Sequence, residues 1–230
     1  MPWDFILIFA VFAVVVPWRG WARMQRLLAL PSISSKDRLS LYASSIVGQW
    51  VMAGLIAWRA LARGLHWTSL GFNFRPPVEL LLVAVIGAML LGAAHWLNLR
   101  RVSRSKNPQV ERIRSLAVKI FPHSNRESIA FCGLALTAGI CEEFLYRGFA
   151  FAALALVSTP MWAVLLISSV LFGLAHAYQG RGGILGTLVL GTVFGSVRIL
   201  YDSVVPVICW HIAVDLVAGF AGRRYLIENT

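Results

Sequence analysis

Apolar runs long enough to cross a bilayer are the feature that most constrains what this chain can fold into. Apolar residues make up 58% of the 230 positions and charged residues only 13%, whereas an average soluble domain carries about 25% charged residues. A soluble domain of this size could not bury so many apolar side chains, so the sequence predicts an all-α polytopic membrane protein. We expect about seven spans, the first shorter than the others, at Phe5–Trp18, Leu41–Ala62, Leu80–Leu99, Ile129–Val157, Met161–Tyr178, Gly183–Leu200 and Val204–Ala221.

Basic residues concentrate in alternate connections between these runs. By the positive-inside rule this face should be cytoplasmic, with the N-terminus outside and the C-terminus inside. The rule also accounts for the net charge of +11, and because no aromatic–basic motif accompanies the charge, we expect no nucleic-acid binding. The basic residues of this face are Arg19, Arg23, Arg26, Lys36, Arg38, Arg100, Arg101, Arg104, Lys106, Arg112, Arg114, Lys119, Arg126, Arg181, Arg223 and Arg224.

The connection before the fourth run has a helical pattern of its own. Val110, Ile113, Leu116, Ala117 and Ile120 fall on one helical face, while charged residues fall elsewhere. The pattern fits a helix lying on the anionic membrane surface, and it fits equally an ordinary solvated helix in a loop.

Ionisable side chains inside three late runs are the functional signal. A charge at the bilayer centre costs about 2.5–3.5 kcal/mol even on the lenient insertion scale. One pair alone is readily explained as a salt bridge or a hydrogen bond between helices, but three helices with such groups in one small bundle favour a functional site. The residues are Glu142, Glu143, Arg147, His176, His211 and Asp215.

The spacing of these residues predicts which of them share a helix face. Glu143 and Arg147 are four residues apart and should pair. Glu142 then points about 100° away and is free for another task. The same spacing relates two further pairs, Phe172 with His176 and His211 with Asp215.

These residues form three motifs in a characteristic order. EEFLYR fits E-E-x-x-x-R, FGLAH fits F-x-x-x-H, and HIAVD fits an H-x-x-x-Asn/Asp pattern. The region of about 129–220 therefore resembles the CAAX protease and bacteriocin-processing family (CPBP, also called Abi), intramembrane proteases related to the type II CAAX prenyl endopeptidases. The resemblance divides the chain into N-terminal transmembrane helices with basic loops (1–128), a catalytic helical core (129–222) and a short cytoplasmic tail (223–230).

The resemblance implies peptide-bond hydrolysis within the membrane. Glu142 would be the general base and would share a water with His176, while His211 and Asp215 would stabilise the oxyanion. Glu143, Arg147 and Phe172 would support the site. Asp215 departs from the Asn that is common in the prenyl-processing relatives, and because an ionised carboxylate repels an oxyanion, Asp215 must be protonated, hold His211 in place or bind a metal.

The resemblance leaves metal dependence open, because the family has been described both as metalloproteases and as metal-free glutamate proteases. Glu142, His176 and His211 could make a three-ligand zinc site with an open position. The HExxH pattern of zinc proteases is absent, and the resemblance favours catalysis without a cofactor.

Two functions from different classes follow. The first is an endopeptidase that cuts a peptide or protein associated with the lipid bilayer. The alternative is a non-catalytic immunity or scaffold protein of the same fold, which binds a bacteriocin or a membrane partner. We expect a multi-pass protein of a prokaryotic plasma membrane, because the short chain begins without a basic leader or a cleavage site.

Overall fold

The chain folds into helices joined by short connections. A computed structural model describes residues 1–105 and 108–228, and these residues contain no strand, which confirms the all-α fold class. Lys106 and the last two residues of the predicted tail lie outside the described residues. The described helices are α1 (Trp3–Ala29), α2 (Ser35–Ala62), α3 (Pro77–Val102), α4 (Pro108–Ile120), α5 (Asn125–Ala155), α6 (Met161–Ala175), α7 (Arg181–Tyr201) and α8 (Val205–Ile227).

Six described helices are long and apolar enough to cross a membrane, namely α1, α2, α3, α5, α7 and α8. The prediction that the first span is shorter than the others is wrong. Helix α1 has 27 residues, because Arg19 ends the apolar run without ending the helix. The shortest of the apolar helices is α6, whose 15 residues span only ~22 Å. It ends at Ala175 because the chain then enters a 3₁₀ turn, which Gly180 closes with a φ of 84°.

The outer helices expose apolar side chains along their length. In α3, Val78, Leu82 and Met89 are 69%, 54% and 69% exposed. A soluble protein of this size rarely exposes so large an apolar surface, and these helices have membrane-spanning length. The chain is therefore a multi-pass membrane protein.

Helix α5 lies at the centre of the bundle, where it packs against α2 and α8. Helix α3 packs on the other side of α8, and α6 pairs with α7. Within α5 the segment Phe144–Phe149 forms a π-helical turn whose side chains are all buried. A π-helical turn inside an α-helix is often found at a functional site.

One end of the bundle is held together by buried polar contacts around α4. Arg38 donates to Glu127 at 3.0 Å and to the carbonyl of Lys119 at 3.1 Å. The Lys119 ammonium donates to the carbonyl oxygens of Leu27 and Leu28, both at 2.9 Å. Helix α4 is thereby tied to α1, α2 and α5.

The amphipathic helix predicted in this connection is present as α4. Val110, Leu116 and Ala117 are buried, and Leu226 of α8 belongs to the same cluster as Ala117. These three residues of the predicted apolar face thus pack against protein, whereas Ile113 of the same face is 38% exposed. Lys119, predicted to lie off this face, is only 8% exposed because it caps the end of α1.

Candidate active site

Three helices bring the ionisable residues together. Glu142 and Glu143 lie in α5 directly before its π-helical turn, which contains Arg147. His176 is the first residue after α6, and α8 carries His211.

Glu142 and His176 face each other across a short gap. The distance from Glu142 Oε2 to His176 Nε2 is 3.9 Å, and both side chains are partly exposed. His176 Nδ1 lies 2.8 Å from the carbonyl oxygen of Phe172. Because a carbonyl can only accept, Nδ1 carries the proton, and in a neutral ring Nε2 presents its lone pair to Glu142. The gap exceeds a direct hydrogen bond and fits one bridging water.

Glu143 has a different environment and is completely buried. Its Oε1 accepts from Arg147 at 3.1 Å, as the spacing predicts, and also lies 2.7 Å from His211 Nδ1. Arg147 is buried as well, and its guanidinium lies 4.2 Å from the centre of the Phe172 ring. Glu143 therefore connects α5 to α8 and fixes the orientation of the His211 ring.

His211 also faces Asp215, one turn further along α8. The distance from His211 Nε2 to Asp215 Oδ2 is 3.7 Å, and the Asp215 side chain is 33% exposed. His211 thus has a carboxylate beside each ring nitrogen. When Nδ1–H donates to Glu143, Nε2 carries a proton only in the imidazolium form, which both carboxylates stabilise.

Phe172 connects the two histidines. Its ring centre lies 4.7 Å from that of His176 and 5.9 Å from that of His211. The sequence predicted the first contact from spacing and did not predict the second. Phe172 therefore packs against both histidines of the site.

Glu142 and His176 line a cavity of about 300 Å³ between α1, α2 and α5. Gln49 of α2 lines the same cavity and donates to Glu142 Oε1 at 3.4 Å. Tyr178, in the 3₁₀ turn after His176, closes another side of it.

The zinc ligands that the sequence suggested, Glu142, His176 and His211, do not form a metal-binding cluster. Within residues 1–105 and 108–228, no three His, Cys, Asp or Glu side chains are arranged to hold a metal ion. Of the two ring nitrogens of His211, Nδ1 lies against Glu143 and Nε2 faces Asp215.

Two contacts of the site lay beyond sequence reasoning. Gln49 precedes Glu142 by 93 residues, and Glu143 precedes His211 by 68 residues. Spacing rules relate residues one turn apart on the same helix, whereas these pairs form between helices. A glutamine inside an apolar run was the available signal for Gln49, since an amide in a membrane helix needs a partner.

Comparison with known proteins supports the family resemblance that the three motifs indicate. Residues 124–217 match the Rce1-like family. The family model is described as type II CAAX prenyl endopeptidase Rce1-like, which confirms the resemblance drawn from the three motifs and implies a protease. The Rce1-like segment contains Glu142, Glu143, Arg147, Phe172, His176, His211 and Asp215. No curated protein and no solved structure matches the chain closely enough to be compared with it.

Proposed function

We propose that this protein is an intramembrane endopeptidase that hydrolyses a peptide bond of a membrane-associated peptide or protein. The observation that carries the proposal is the pairing of Glu142 with His176 across 3.9 Å in a cavity, within a segment that matches a protease family. The multi-pass fold and the basic face support a plasma membrane, which we propose to be prokaryotic.

The proposed reaction uses a water held between Glu142 and His176. Glu142 takes a proton from this water. The water oxygen attacks the scissile carbonyl carbon at the same time, which gives a tetrahedral oxyanion. The same proton then passes to the leaving nitrogen as the C–N bond breaks, which releases an amine and a carboxylic acid, and the acid loses its remaining proton to solvent.

We propose that His211 stabilises the oxyanion and that Asp215 acts through His211. In the imidazolium form, His211 Nε2–H can donate to the developing charge. Asp215 lies 3.7 Å from the same nitrogen and would hold the ring and balance its charge. In this scheme Asp215 need not touch the oxyanion, so its difference from Asn does not prevent catalysis.

The test compares the parent protein with Glu142→Gln, both reconstituted in liposomes with membrane proteins from cells that lack this gene. New N- and C-termini are mapped by mass spectrometry, and a farnesylated peptide ending in a CAAX sequence serves as a defined probe. We expect the parent to produce specific cuts and Glu142→Gln to reduce their rate at least ~100-fold, the lower end for loss of a general base.

Glu143→Gln separates the roles of the two neighbouring carboxylates. It leaves Arg147 buried without its ion pair, which typically costs about 3–5 kcal/mol, so thermal stability should fall together with activity. Glu142→Gln should unfold at the parental temperature. If neither the parent nor Glu142→Gln produced new termini, the protease would be rejected and the non-catalytic scaffold or immunity protein favoured. If both produced the same cuts at the same rate, Glu142 would be rejected as the base.

A further inference from the structure

Gln49 is a polar residue of α2 that faces the Glu142 carboxylate. Its Nε2 lies 3.4 Å from Glu142 Oε1, while Glu142 Oε2 is directed at His176. The two oxygens of the carboxylate thus have separate neighbours, one on each side. Gln49 restrains the rotation of the Glu142 side chain and keeps Oε2 on the side of His176.

The other end of the Gln49 amide also points to a ligand. Since an ionised carboxylate only accepts hydrogen bonds, the NH₂ group must face Glu142 and the carbonyl must face away. Gln49 Oε1 is buried and has no hydrogen-bond partner among the described residues. Leaving a buried acceptor unpaired is unfavourable, so such an atom calls for a donor.

We propose that Gln49 positions Glu142 and that its Oε1 accepts a backbone N–H of the substrate beside the scissile bond. The inference rests on the proposed function, because it needs a peptide in the cavity that Gln49, Glu142 and His176 share. An extended peptide presents a backbone N–H at nearly every residue. Recognition through the backbone fixes the substrate beside Glu142 without selecting a particular side chain.

The first measurement compares Gln49→Met with Gln25→Met. Both variants exchange an amide for an apolar side chain of similar length, and Gln25 lies on α1 outside the residues that line the cavity. The probe is a fluorogenic peptide that spans a cut site mapped for the parent protein. We expect Gln49→Met to lower kcat/KM about 10-fold, with kcat reduced as well as KM raised, and Gln25→Met to stay within about twofold of the parent.

The second measurement distinguishes hydrogen bonding from a general structural effect. In a series of probes, each peptide N–H near the scissile bond is replaced in turn by an ester oxygen. In the parent, one of these replacements should lower kcat/KM about 5- to 10-fold. In Gln49→Met the same replacement should cost less than about twofold, because its partner is already missing.

The outcomes separate this inference from the function on which it rests. A parent protein that cuts nothing would reject both. An active parent with Gln49→Met as fast as Gln25→Met would reject the positioning role alone. Equal ester sensitivity in the parent and in a folded Gln49→Met would reject the substrate contact.

Discussion

Glu142 and Glu143 are adjacent in the sequence, yet their surroundings prepare them for different tasks. The Glu142 side chain is 20% exposed and faces the cavity, whereas that of Glu143 is fully buried. Glu143 Oε1 is occupied by Arg147 and His211, so that oxygen is not available to a substrate. Burial and hydrogen bonding, more than residue type, therefore leave Glu142 as the carboxylate that is open to the cavity.

Asp215 provides a test of metal dependence at the scale of one residue. If Asp215 holds His211, Asp215→Asn should keep activity within about fivefold of the parent, because the amide can still donate and accept. Both proteins should be insensitive to chelators. The measurement is cleavage by purified parent and Asp215→Asn, each with its metal content quantified.

A metal-dependent enzyme would give the opposite pattern. An amide is a poorer metal ligand than a carboxylate, so Asp215→Asn would lose metal and activity together. Chelation would inactivate the parent, and zinc would restore it. One equivalent of tightly held metal in an active parent, lost in the variant, would overturn the metal-free mechanism.

The sequence predicted the contacts of the site that arise within one helix. The pairs Glu143–Arg147, Phe172–His176 and His211–Asp215 all follow from spacing of four residues, and all are close in the structure. The contacts between helices depend on how α2, α5 and α8 rotate against each other. Spacing along one helix carries no information about that rotation.

At the scale of helices, α6 and α7 pack closely because α7 has a glycine, Gly191, at a point where a larger side chain would clash. A Cβ at Gly191 would lie 3.0 Å from Arg147 Nη2 and 3.2 Å from the Phe172 ring. A Cβ at Gly186, on the same helix, would meet nothing within 4 Å. Gly191 therefore lets α7 approach the supporting residues of the site.

Substitution of each of these two glycines by leucine tests this packing, with Gly186 as the control position. Gly191→Leu should displace Arg147 or Phe172 and should lower both thermal stability and cleavage, because overpacking typically costs about 1–3 kcal/mol. Gly186→Leu should behave like the parent protein. The measurements are the unfolding temperature in detergent and the cleavage rate. A Gly191→Leu protein with parental stability and activity would contradict the close approach of Gly191 to Arg147 and Phe172.

Hydropathy predicted which helices exist but not where each helix begins and ends. The apolar runs correctly marked the existence of the long helices, since lipid-facing side chains must be apolar. They did not reveal that α1 continues to Ala29 or that α6 stops at Ala175. The π-helical turn Phe144–Phe149 was also not predicted, because hydropathy does not distinguish it from an α-helix.

The orientation of the whole molecule in the bilayer can be tested with reporter fusions. Arg223 and Arg224 follow the last apolar run, and the positive-inside rule places them in the cytoplasm. A reporter that is active only in the cytoplasm, fused after Thr230, should therefore be active. A second fusion after Gly64, in the connection between α2 and α3, should be silent. Activity in the reverse pattern would invert the predicted orientation.

The polar contacts of Lys119 also impose an order on the biogenesis of the chain. The carbonyl of Leu27 near the end of α1 receives its hydrogen bond from a side chain that lies 92 residues later. A ribosome delivers the chain from its N-terminus, so the first helix enters the membrane long before Lys119 has been synthesised. Until then, the last turn of this helix must keep its carbonyl groups in water. The last turn of α1 is thus completed only after a residue 92 positions later in the chain has been made.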